Sequence, residues 1–339
     1  MPAITIPRHR LSNQHLARAK FASPSEVVAW LGAVQAQDYL GALWGVGLRM
    51  KTAVEADVER ALSAGTIVRS WPLRGTLHFT AAEDLRWMLD LLAPRVMARH
   101  SSRLERDFEV DAATLRRSRT AVIKALRDGH ALTRGLLYAT LERAGIRTTA
   151  SRGLHIVFRL AHEKLILFGP RQRKQQTFVL FDEWIRSSTP LKGDEALHEL
   201  ARRYFTTRER ATAVDFAWWS GLTLTEAKRG AEMVSAKRVR SDPSQSAVLL
   251  PAFDEYLVAY KDRSAFIDPA FAKRVNAGGG ILKPTIVIDG LVVGTWKRTL
   301  TKDAVIIAPE LFRALKTKEK RMYRAAAERY ASFLGRRLG

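Results

Sequence analysis

The chain has 339 residues, 47% of them hydrophobic, enough for about two domains of roughly 150 residues or several smaller modules. It contains 56 basic and 34 acidic residues, and the resulting net charge of +22 is spread along the whole sequence. A distributed positive charge indicates an extended polyanionic partner, most often nucleic acid. The alternative is a protein of generally basic composition, such as a ribosome-associated protein.

Composition also argues against several kinds of chemistry. The absence of cysteine excludes disulfides, thiolate nucleophiles and cysteine-based metal sites. The eight histidines show no spacing typical of zinc ligands, so we expect no metal and no other cofactor. The N-terminal residues lack the apolar core of a secretion signal, and no apolar run approaches the ~18 residues of a membrane span. We therefore expect a soluble, cytoplasmic protein that does not bind membranes.

The first predicted elements are helices followed by a hairpin. Ser23, Pro24 and Glu26 form the pattern of a capped helix start. Further helices are predicted at residues 40–50 and 55–64, and β-rich residues on both sides of a Pro-Leu-Arg-Gly turn predict a hairpin at 66–80. Helices followed by a hairpin are typical of a winged-helix module, in which the hairpin is the wing. The first module is predicted at residues 1–110.

The same order of elements recurs along the chain. Helices followed by two strands around a basic tip predict a second winged-helix module at residues 111–190. A helix pair interrupted at Gly221 and followed by a basic hairpin predicts a third module at 191–250. Residues 251–339 are predicted to form an α+β cap containing an Asp289-Gly290 hairpin, a strand, and a terminal helix that begins at Pro309-Glu310. The predicted fold class is therefore mainly α with small β-hairpins.

Gln35, Gln37 and Asp38 stand inside an otherwise apolar stretch, residues 30–48. Buried amides and carboxylates are costly unless they are hydrogen-bonded. A polar cluster in such a run is therefore either a satisfied structural joint or part of a functional site.

Motifs along nearly the full length resemble those of the AlkZ-like family. They are Tyr204-Phe205, Ala211-Thr212, Asp215-Phe216, Trp219-Ser220-Gly221-Leu222, the LPAFDEY segment at 250–256 with Asp262-Arg263, and the DGLVVGTW segment at 289–296. Gln35-Ala36-Gln37 matches the catalytic Gln–apolar–Gln motif of the family, whereas the YcaQ branch has aspartate at the last position. One departure is Arg208-Glu209-Arg210, which stands where Gly-Pro is commoner and is expected to alter the start of a helix.

The resemblance implies a function and an architecture. Family members are monofunctional DNA glycosylases that excise bulky or N7-alkylated purines, and some unhook interstrand crosslinks. Their tandem winged helices form a C-shaped basic concave surface around duplex DNA. For this chain the resemblance implies base excision repair, with double-stranded DNA carrying alkylated purines as the partner and a monomeric protein.

The two glutamines suit this chemistry. Cleavage of a purine glycosidic bond develops oxocarbenium character on the sugar, and an N7-alkylated purine is already a cationic leaving group. The enzyme then has to place a water and stabilise developing charge, and an amide can accept from that water and orient it. We expect Gln35 and Gln37 to do this together. Side chains at i and i+2 point about 200° apart on an ideal helix, so the helix is predicted to end or distort here.

Other residues are weaker candidates. Asp38 is a candidate general base or electrostatic partner of the sugar cation, and its alternative role is to cap the next helix. The candidate DNA contacts are Arg69, Trp71, Arg74, Thr76 and His78 on the first hairpin, Arg171, Arg173 and Lys174 on the second, and Lys237 and Arg238 on the third. Basic wing tips commonly contact phosphates, and a hairpin can probe a groove. The alternative interpretation is a first hairpin packed on its own module and charged runs that are merely solvated.

Structural roles are predicted for two further groups. Trp218 and Trp219 are expected in the core, with base stacking as the alternative. The acidic residues Asp254, Glu255 and Asp262 are expected to pair with Lys261 or Arg263, and the alternative is a catalytic role in another kind of enzyme. There is no lysine beside the glutamines that could act as a Schiff-base nucleophile. We therefore expect hydrolysis without a lyase step. The rival function is a non-catalytic winged-helix DNA-binding protein, such as a regulator that reads symmetric half-sites as a dimer.

Overall fold

The computed structural model describes residues 5–234 and 245–339. The chain forms two compact units. The terminal unit comprises Met1–Glu59 and His198–Gly339, and the central unit comprises Arg60–Leu197. This grouping places both of the first two predicted hairpins in the central unit, so it does not follow the predicted division at residues 110, 190 and 250. The four-module division stays a prediction.

The helices are numbered in chain order. They are α1 (Thr5–Asn13), α2 (Pro24–Leu31), α3 (Tyr39–Gly47), α4 (Glu55–Ser63), α5 (Ala82–Phe108), α6 (Ala112–Leu126), α7 (Arg134–Arg143), α8 (Arg152–His162), α9 (Phe181–Trp184), α10 (Gly193–Thr207), α11 (Ala213–Ser220), α12 (Leu224–Glu232), α13 (Glu255–Val258), α14 (Ala272–Val275) and α15 (Thr317–Phe333), with a short 3-10 helix at Pro269–Phe271. Within the ranges that the structure describes, none of these helices is both long and apolar enough to span a bilayer.

The strands are short and interleave with the helices. They are β1 (Val34–Gln35), β2 (Ile67–Leu73), β3 (Thr76–Ala81), β4 (Leu132–Thr133), β5 (Ile166–Gln172), β6 (Gln175–Leu180), β7 (Ala247–Leu250), β8 (Thr285–Ile288), β9 (Leu291–Leu300), β10 (Ala304–Leu311) and β11 (Arg337–Leu338). The fold is therefore mixed α+β, as predicted.

The predicted start of α2 is confirmed, and other helices begin in the same way. Ser23 caps α2, and the Glu26 carboxylate accepts from the Ser23 backbone N–H in return, which completes a capping box. Thr133 caps α7, and Thr223 caps α12. These caps satisfy backbone N–H groups that have no partner inside the helix, so the residue types that supply them mark helix starts reliably.

In the central unit, two hairpins join into one antiparallel sheet. Hairpin β2–β3 meets hairpin β5–β6 where Arg69 lies opposite Phe168, and β4 adds to the far side of β6. Arg74 and Gly75 both have positive φ, 55° and 73°, which is the backbone of a tight two-residue hairpin turn. One face of the sheet packs on α5, and the other contributes to a core shared with α6, α7 and α8.

In the terminal unit, the sheet has the order β11-β10-β9-β8-β7. The β8–β9 turn has Asp289 and Gly290 at φ 52° and 85°, which confirms the predicted hairpin. A Cβ on Gly290 would lie 2.4 Å from the carbonyl carbon of Pro7, so glycine is required there by close approach as well as by φ. Asp289 also forms an ion pair with Arg8 at 2.8 Å, a role beyond the turn itself.

The predicted start of the last helix is wrong. Pro309 and Glu310 belong to β10, where they pair with Trp296 and Thr295 of β9, and α15 begins only at Thr317. Proline has no N–H to donate, so it is tolerated in a strand where that side has no neighbouring strand. This holds at Pro309, because β11 pairs only with the first residues of β10. The Pro-Glu pattern is thus compatible with an edge strand, and strand pairing decided between the two structures.

Candidate active site and DNA interface

The Gln35–Gln37 segment lies on a non-helical strap, residues 32–38, between α2 and α3. Gly32 ends α2 with φ 80°, and its N–H returns to the carbonyl of Ala29 at 3.3 Å. Val34 and Gln35 are then extended as β1, and helical structure resumes at Tyr39. The predicted break in the helix is confirmed. Gln37 lies two residues further on, in a bend just before α3, so both glutamines lie outside regular helix.

A buried carboxylate anchors the strap. The backbone N–H of Gln35 donates to Oε1 of Glu255 at 3.0 Å. Oε2 of the same carboxylate accepts from Arg208 Nη2 at 2.7 Å and from Trp219 Nε1 at 2.8 Å. Arg208 Nη1 also donates to the carbonyl of Leu31, at the end of α2. One ion pair therefore holds the backbone at two points: Arg208 binds Leu31 and Glu255 binds Gln35.

This ion pair is fully enclosed. The side chains of Arg208 and Glu255 are both 0% exposed. The Arg208 guanidinium also lies over the rings of Tyr204 and Trp219, at 5.1 and 4.6 Å from their centres. Two charges away from water are tolerated when they pair closely and accept or donate further hydrogen bonds, as Glu255 and the Nη1 atom of Arg208 do here. The arginine that departs from the family pattern is thus part of the support of the strap.

A second buried ion pair lies next along the sequence from Glu255. Asp254 accepts from Arg49 through both oxygens, at 2.9 and 3.0 Å, and these side chains are 0% and 1% exposed. Arg49 also donates to the side-chain oxygen of Gln14 at 2.9 Å. The expected pairing of Asp254 and Glu255 with Lys261 or Arg263 is therefore wrong. Arg263 Nε instead donates to the carbonyl of Leu257 at 2.7 Å.

The two glutamines differ in exposure. Gln35 is buried, at 7% exposure, whereas Gln37 is exposed. Only the Gln37 side chain is therefore open to solvent, beside a buried Gln35. The roles of both residues stay predictions.

Asp38 lies at the helix start, as its alternative role predicted. Its Oδ1 accepts from the N–H of Gly41 at 3.2 Å and caps α3. A Cβ on Gly41 would approach Oδ2 of Asp38 to 2.4 Å, so glycine makes room for the carboxylate over the first turn. Asp38 is only half-buried, and its catalytic role stays a prediction.

The first hairpin places its predicted DNA contacts in different environments. Arg69 and Trp71 are each 7% exposed, and His78 is fully buried. The imidazole Nδ1 of His78 lies 2.9 Å from the carbonyl of Thr76, within its own hairpin. Burial, with a contribution from nearby Arg74, lowers the pKa of His78 to about 3, so the ring is neutral. These observations assign His78 to the interior of the hairpin and not to a DNA-contacting surface.

The remaining candidates lie nearer to solvent. Arg74 and Thr76 are half-buried at the first turn. Arg173 and Lys174 are exposed at the tip between β5 and β6, and Arg171 is half-buried beside them. Lys237 and Arg238 lie outside the described residues. DNA contact at these tips stays a prediction.

Three predicted residues from two hairpins come together in the central unit. Arg69, Trp71 and Lys174 all line one cavity of about 660 Å³, together with Arg134 and Tyr138 of α7. The helix residues were missed because nothing in their local sequence signals that α7 packs beside both hairpins. Across the described ranges, no cluster of three or more His, Asp or Glu side chains could hold a metal ion.

The two adjacent tryptophans of α11 lie in different environments. Trp219 is fully buried, as predicted, and donates to Glu255. Trp218 is 46% exposed, so its predicted place in the core is wrong. Adjacent residues on a helix lie about 100° apart, and only one of them can face the interior of a helix buried on one side.

Comparison with known proteins agrees with this arrangement. A sequence profile described as DNA glycosylase AlkZ-like matches residues 28–333. The chain is 24% identical over 337 residues to the interstrand DNA cross-link repair glycosylase of Streptomyces sahachiroi, with 88% of each protein covered. It also superposes on the solved structure of Streptomyces sahachiroi DNA glycosylase AlkZ with a TM-score of 0.79 at 23% identity, covering 100% of this chain and 98% of that one.

The matched region includes the strap, both central hairpins and the residues that anchor the strap, so the class of the protein is that of a DNA glycosylase. More particularly, the chain belongs to the AlkZ-like DNA glycosylase family. The enzyme class predicted from the sequence motifs is thereby confirmed, and the structural match shows that the fold is shared.

Proposed function

We propose that this protein is a monofunctional DNA glycosylase that hydrolyses the N-glycosidic bond of cationic N7- or N3-alkylated purines. In this proposal Gln35 and Gln37 together position the attacking water. The observation that supports it best is the strap itself, because the glutamines lie outside any regular helix and the backbone N–H of Gln35 donates to a fully buried carboxylate. Catalytic water placement requires such an ordered support.

The proposed reaction needs little acid catalysis. When the bond between the sugar C1′ and the purine nitrogen breaks, its electron pair neutralises the positive charge of the alkylated base. The sugar becomes an oxocarbenium ion, and the water oxygen bonds to C1′ while its proton passes to solvent. Neutral amides can orient this water through both acceptor and donor groups. The product is an abasic site in an intact strand.

Crosslinked purines are substrates of the same kind. The relative from Streptomyces sahachiroi is named for repair of interstrand DNA cross-links. A purine crosslinked through N7 carries the same cationic leaving group as a simple N7-alkylpurine. We therefore include such crosslinks, and bulky adducts, in the proposed substrate class.

The proposed DNA interface uses the hairpin tips. Arg173 and Lys174 are exposed at the β5–β6 tip, and the turn residue Arg74 is half-buried. We propose that these cations contact phosphates, and that the predicted tandem winged-helix modules bind the duplex as a monomer. Phosphate contacts supply affinity and position the protein without reading sequence.

The test uses a duplex with a single N7-methylguanine. Incubation with the protein, followed by alkali, should cleave the strand at the lesion because abasic sites are alkali-labile. Gln35→Ala and Gln37→Ala should each lower the single-turnover rate by about 100-fold, the usual effect of removing one preorganised polar group. Gln245→Ala changes an exposed glutamine outside the strap and should cleave at the unmodified rate.

Two results would overturn the proposal. One is normal excision by both strap variants in spite of normal folding. The other is intact DNA for N7-methylguanine and for bulkier cationic adducts, accompanied by sequence-selective binding, which would favour a DNA-binding regulator.

A further inference from the structure

The cavity of about 660 Å³ in the central unit is not used by the proposed chemistry. It lies between the face of hairpin β2–β3 that carries Trp71, the strands of hairpin β5–β6, and helices α7 and α8. Its volume is within the range of about 300–1,000 Å³ that is usual for small-ligand sites.

The inner wall of the cavity is aromatic. Trp71 and Phe168 have ring centroids 5.0 Å apart at an interplanar angle of 38°, and Phe168 lies 4.7 Å from Phe178 at 33°. The Arg69 guanidinium lies 4.8 Å from the centre of the Phe168 ring. Tyr138 completes this wall and is half-buried, and burial raises the pKa of its phenol, so that its hydroxyl keeps the proton it can donate.

The rim of the cavity is cationic and polar. Arg134, Lys174 and Gln175 line the opening as exposed side chains, and Gln176 is half-buried beside them. None of the residues that line this cavity is acidic. The cavity thus combines a wall of mutually tilted aromatic rings with positive charge and amide groups at its mouth.

We propose that this cavity binds one unstacked nucleotide of DNA, with the base against the aromatic wall and the adjacent phosphate at Arg134 and Lys174. Bases stack on aromatic side chains without sequence preference, and cations at the rim match a neighbouring phosphate. A purely apolar ligand would leave the cations of the rim unused, and an inorganic anion would leave the aromatic wall unused. The proposal rests on the proposed function as a DNA-acting enzyme but not on the roles of Gln35 and Gln37.

The first test measures binding of undamaged DNA, so that excision plays no part. A short single strand containing one 2-aminopurine is titrated with the full-length protein, and the fluorescence of 2-aminopurine reports stacking of that base. Tyr138→Leu and Lys174→Gln should each weaken binding by roughly tenfold, as expected for losing one stacking or phosphate contact. Tyr323→Leu and Lys318→Gln are matched controls, because Tyr323 is also half-buried and Lys318 is also exposed, and both belong to the terminal unit.

The second test locates the base. A strand in which 5-iodouracil replaces one thymine is irradiated in the complex, and the crosslinked peptide is identified by mass spectrometry. Crosslinks should fall on peptides that contain Trp71, Tyr138 or Phe168. Crosslinks confined to other peptides, or equal affinity of Tyr138→Leu and the unmodified protein, would overturn the proposal.

Two further arms separate the alternatives. The 5′-monophosphate of 2-aminopurine deoxyriboside should bind weakly and be displaced by single-stranded DNA; tight binding that DNA does not displace would identify a site for a free nucleotide and contradict the proposal. Excision of N7-methylguanine is measured in parallel. If the unmodified protein does not excise N7-methylguanine but Tyr138→Leu still weakens DNA binding, only the proposed chemistry is refuted. If the unmodified protein excises normally but Tyr138→Leu binds DNA as well as it does, only the role of the cavity is refuted.

Discussion

At the scale of single residues, the same residue type has opposite roles according to its surroundings. Arg208 and Arg49 are fully buried and pair with carboxylates, whereas Arg173 is exposed at a hairpin tip. Asp38 combines a helix cap with a position one residue after the glutamine motif. Residue identity alone therefore does not distinguish buried, paired charges from charges open to solvent; the tertiary structure does.

Asp38 can be tested by changing its cap and its charge separately. Asp38→Ala removes the acceptor for the Gly41 N–H and should lower the free energy of unfolding by about 1 kcal/mol, whereas Asp38→Asn keeps an acceptor and should cost only a few tenths. Asp111→Ala removes the corresponding cap of α6 and is the matched control. We expect Asp38→Asn to excise N7-methylguanine at the unmodified rate. A rate at least tenfold lower with normal stability would instead show that the negative charge takes part in catalysis.

His78 predicts a dependence of stability on pH. The pKa of its ring is lowered from 6.5 to about 3, so the unfolded chain binds the proton as the pH falls through 6.5 while the folded chain does not. Between these values the unfolded state binds more protons, and the free energy of unfolding must fall as the pH falls.

From pH 7.5 to pH 5 this group should remove up to about 2 kcal/mol of stability, measured by urea unfolding. His78→Leu should make the pH dependence shallower, because it removes the group that gains the proton on unfolding. His130→Leu, at an exposed position, should leave the pH dependence as it is. An unchanged slope in His78→Leu would contradict the prediction.

At the scale of elements, ends that depend on nearby residues followed the predictions. The capping box at Ser23 and the turns at Arg74-Gly75 and Asp289-Gly290 are where the sequence placed them. The start of α15 did not follow, because the Pro309-Glu310 stretch pairs with β9. The strap is an intermediate case: its glycine ends α2 locally, but its anchor comes from α13, distant in the sequence.

The anchor of the strap predicts a separation of stability from activity. Glu255→Gln leaves Arg208 as an unpaired buried charge and should lower the free energy of unfolding by about 3–5 kcal/mol. Asp254→Asn does the same to Arg49 and is the matched control, since Asp254 makes no hydrogen bond to the backbone of Gln35 among those observed.

At a temperature where both variants are folded, only Glu255→Gln should lower the single-turnover excision rate, because only this variant removes the negative charge that accepts from the strap. The affinity for the duplex should be alike in the two. Equal excision rates in the two variants would show that Glu255 contributes to stability alone.

At the scale of the whole molecule, the net charge of +22 remains the strongest predictor of the partner. Membership of a DNA glycosylase family agrees with it. Buried Arg49 and Arg208 are neutralised by their carboxylate partners, so they add no charge for DNA, whereas Arg134, Arg173 and Lys174 are exposed.

This charge predicts a steep effect of salt on DNA binding. If six or more phosphates are contacted, raising the salt from about 50 to 200 mM should weaken duplex binding on the order of a thousandfold, because bound cations are released from the DNA. Lys174→Gln should reduce the slope of log affinity against log salt by about one. Two unrelated duplex sequences should give the same slope. A shallow slope, or affinity restricted to one sequence, would contradict phosphate-dominated binding.

The sequence by itself indicated the family and the elements whose ends depend on nearby residues. Caps, Asp-Gly turns and hydrophobic periodicity act over a few residues, so they could be read without knowing the fold, and the Gln35-Ala36-Gln37 motif identified the candidate site within them. Only the tertiary structure decided which charges are buried, that Arg208 and Glu255 support the strap, and that Arg69, Trp71 and Lys174 share a cavity with Tyr138. These relations join residues far apart in the chain, and ion pairing, strand pairing and packing over such distances leave no periodic pattern in the sequence.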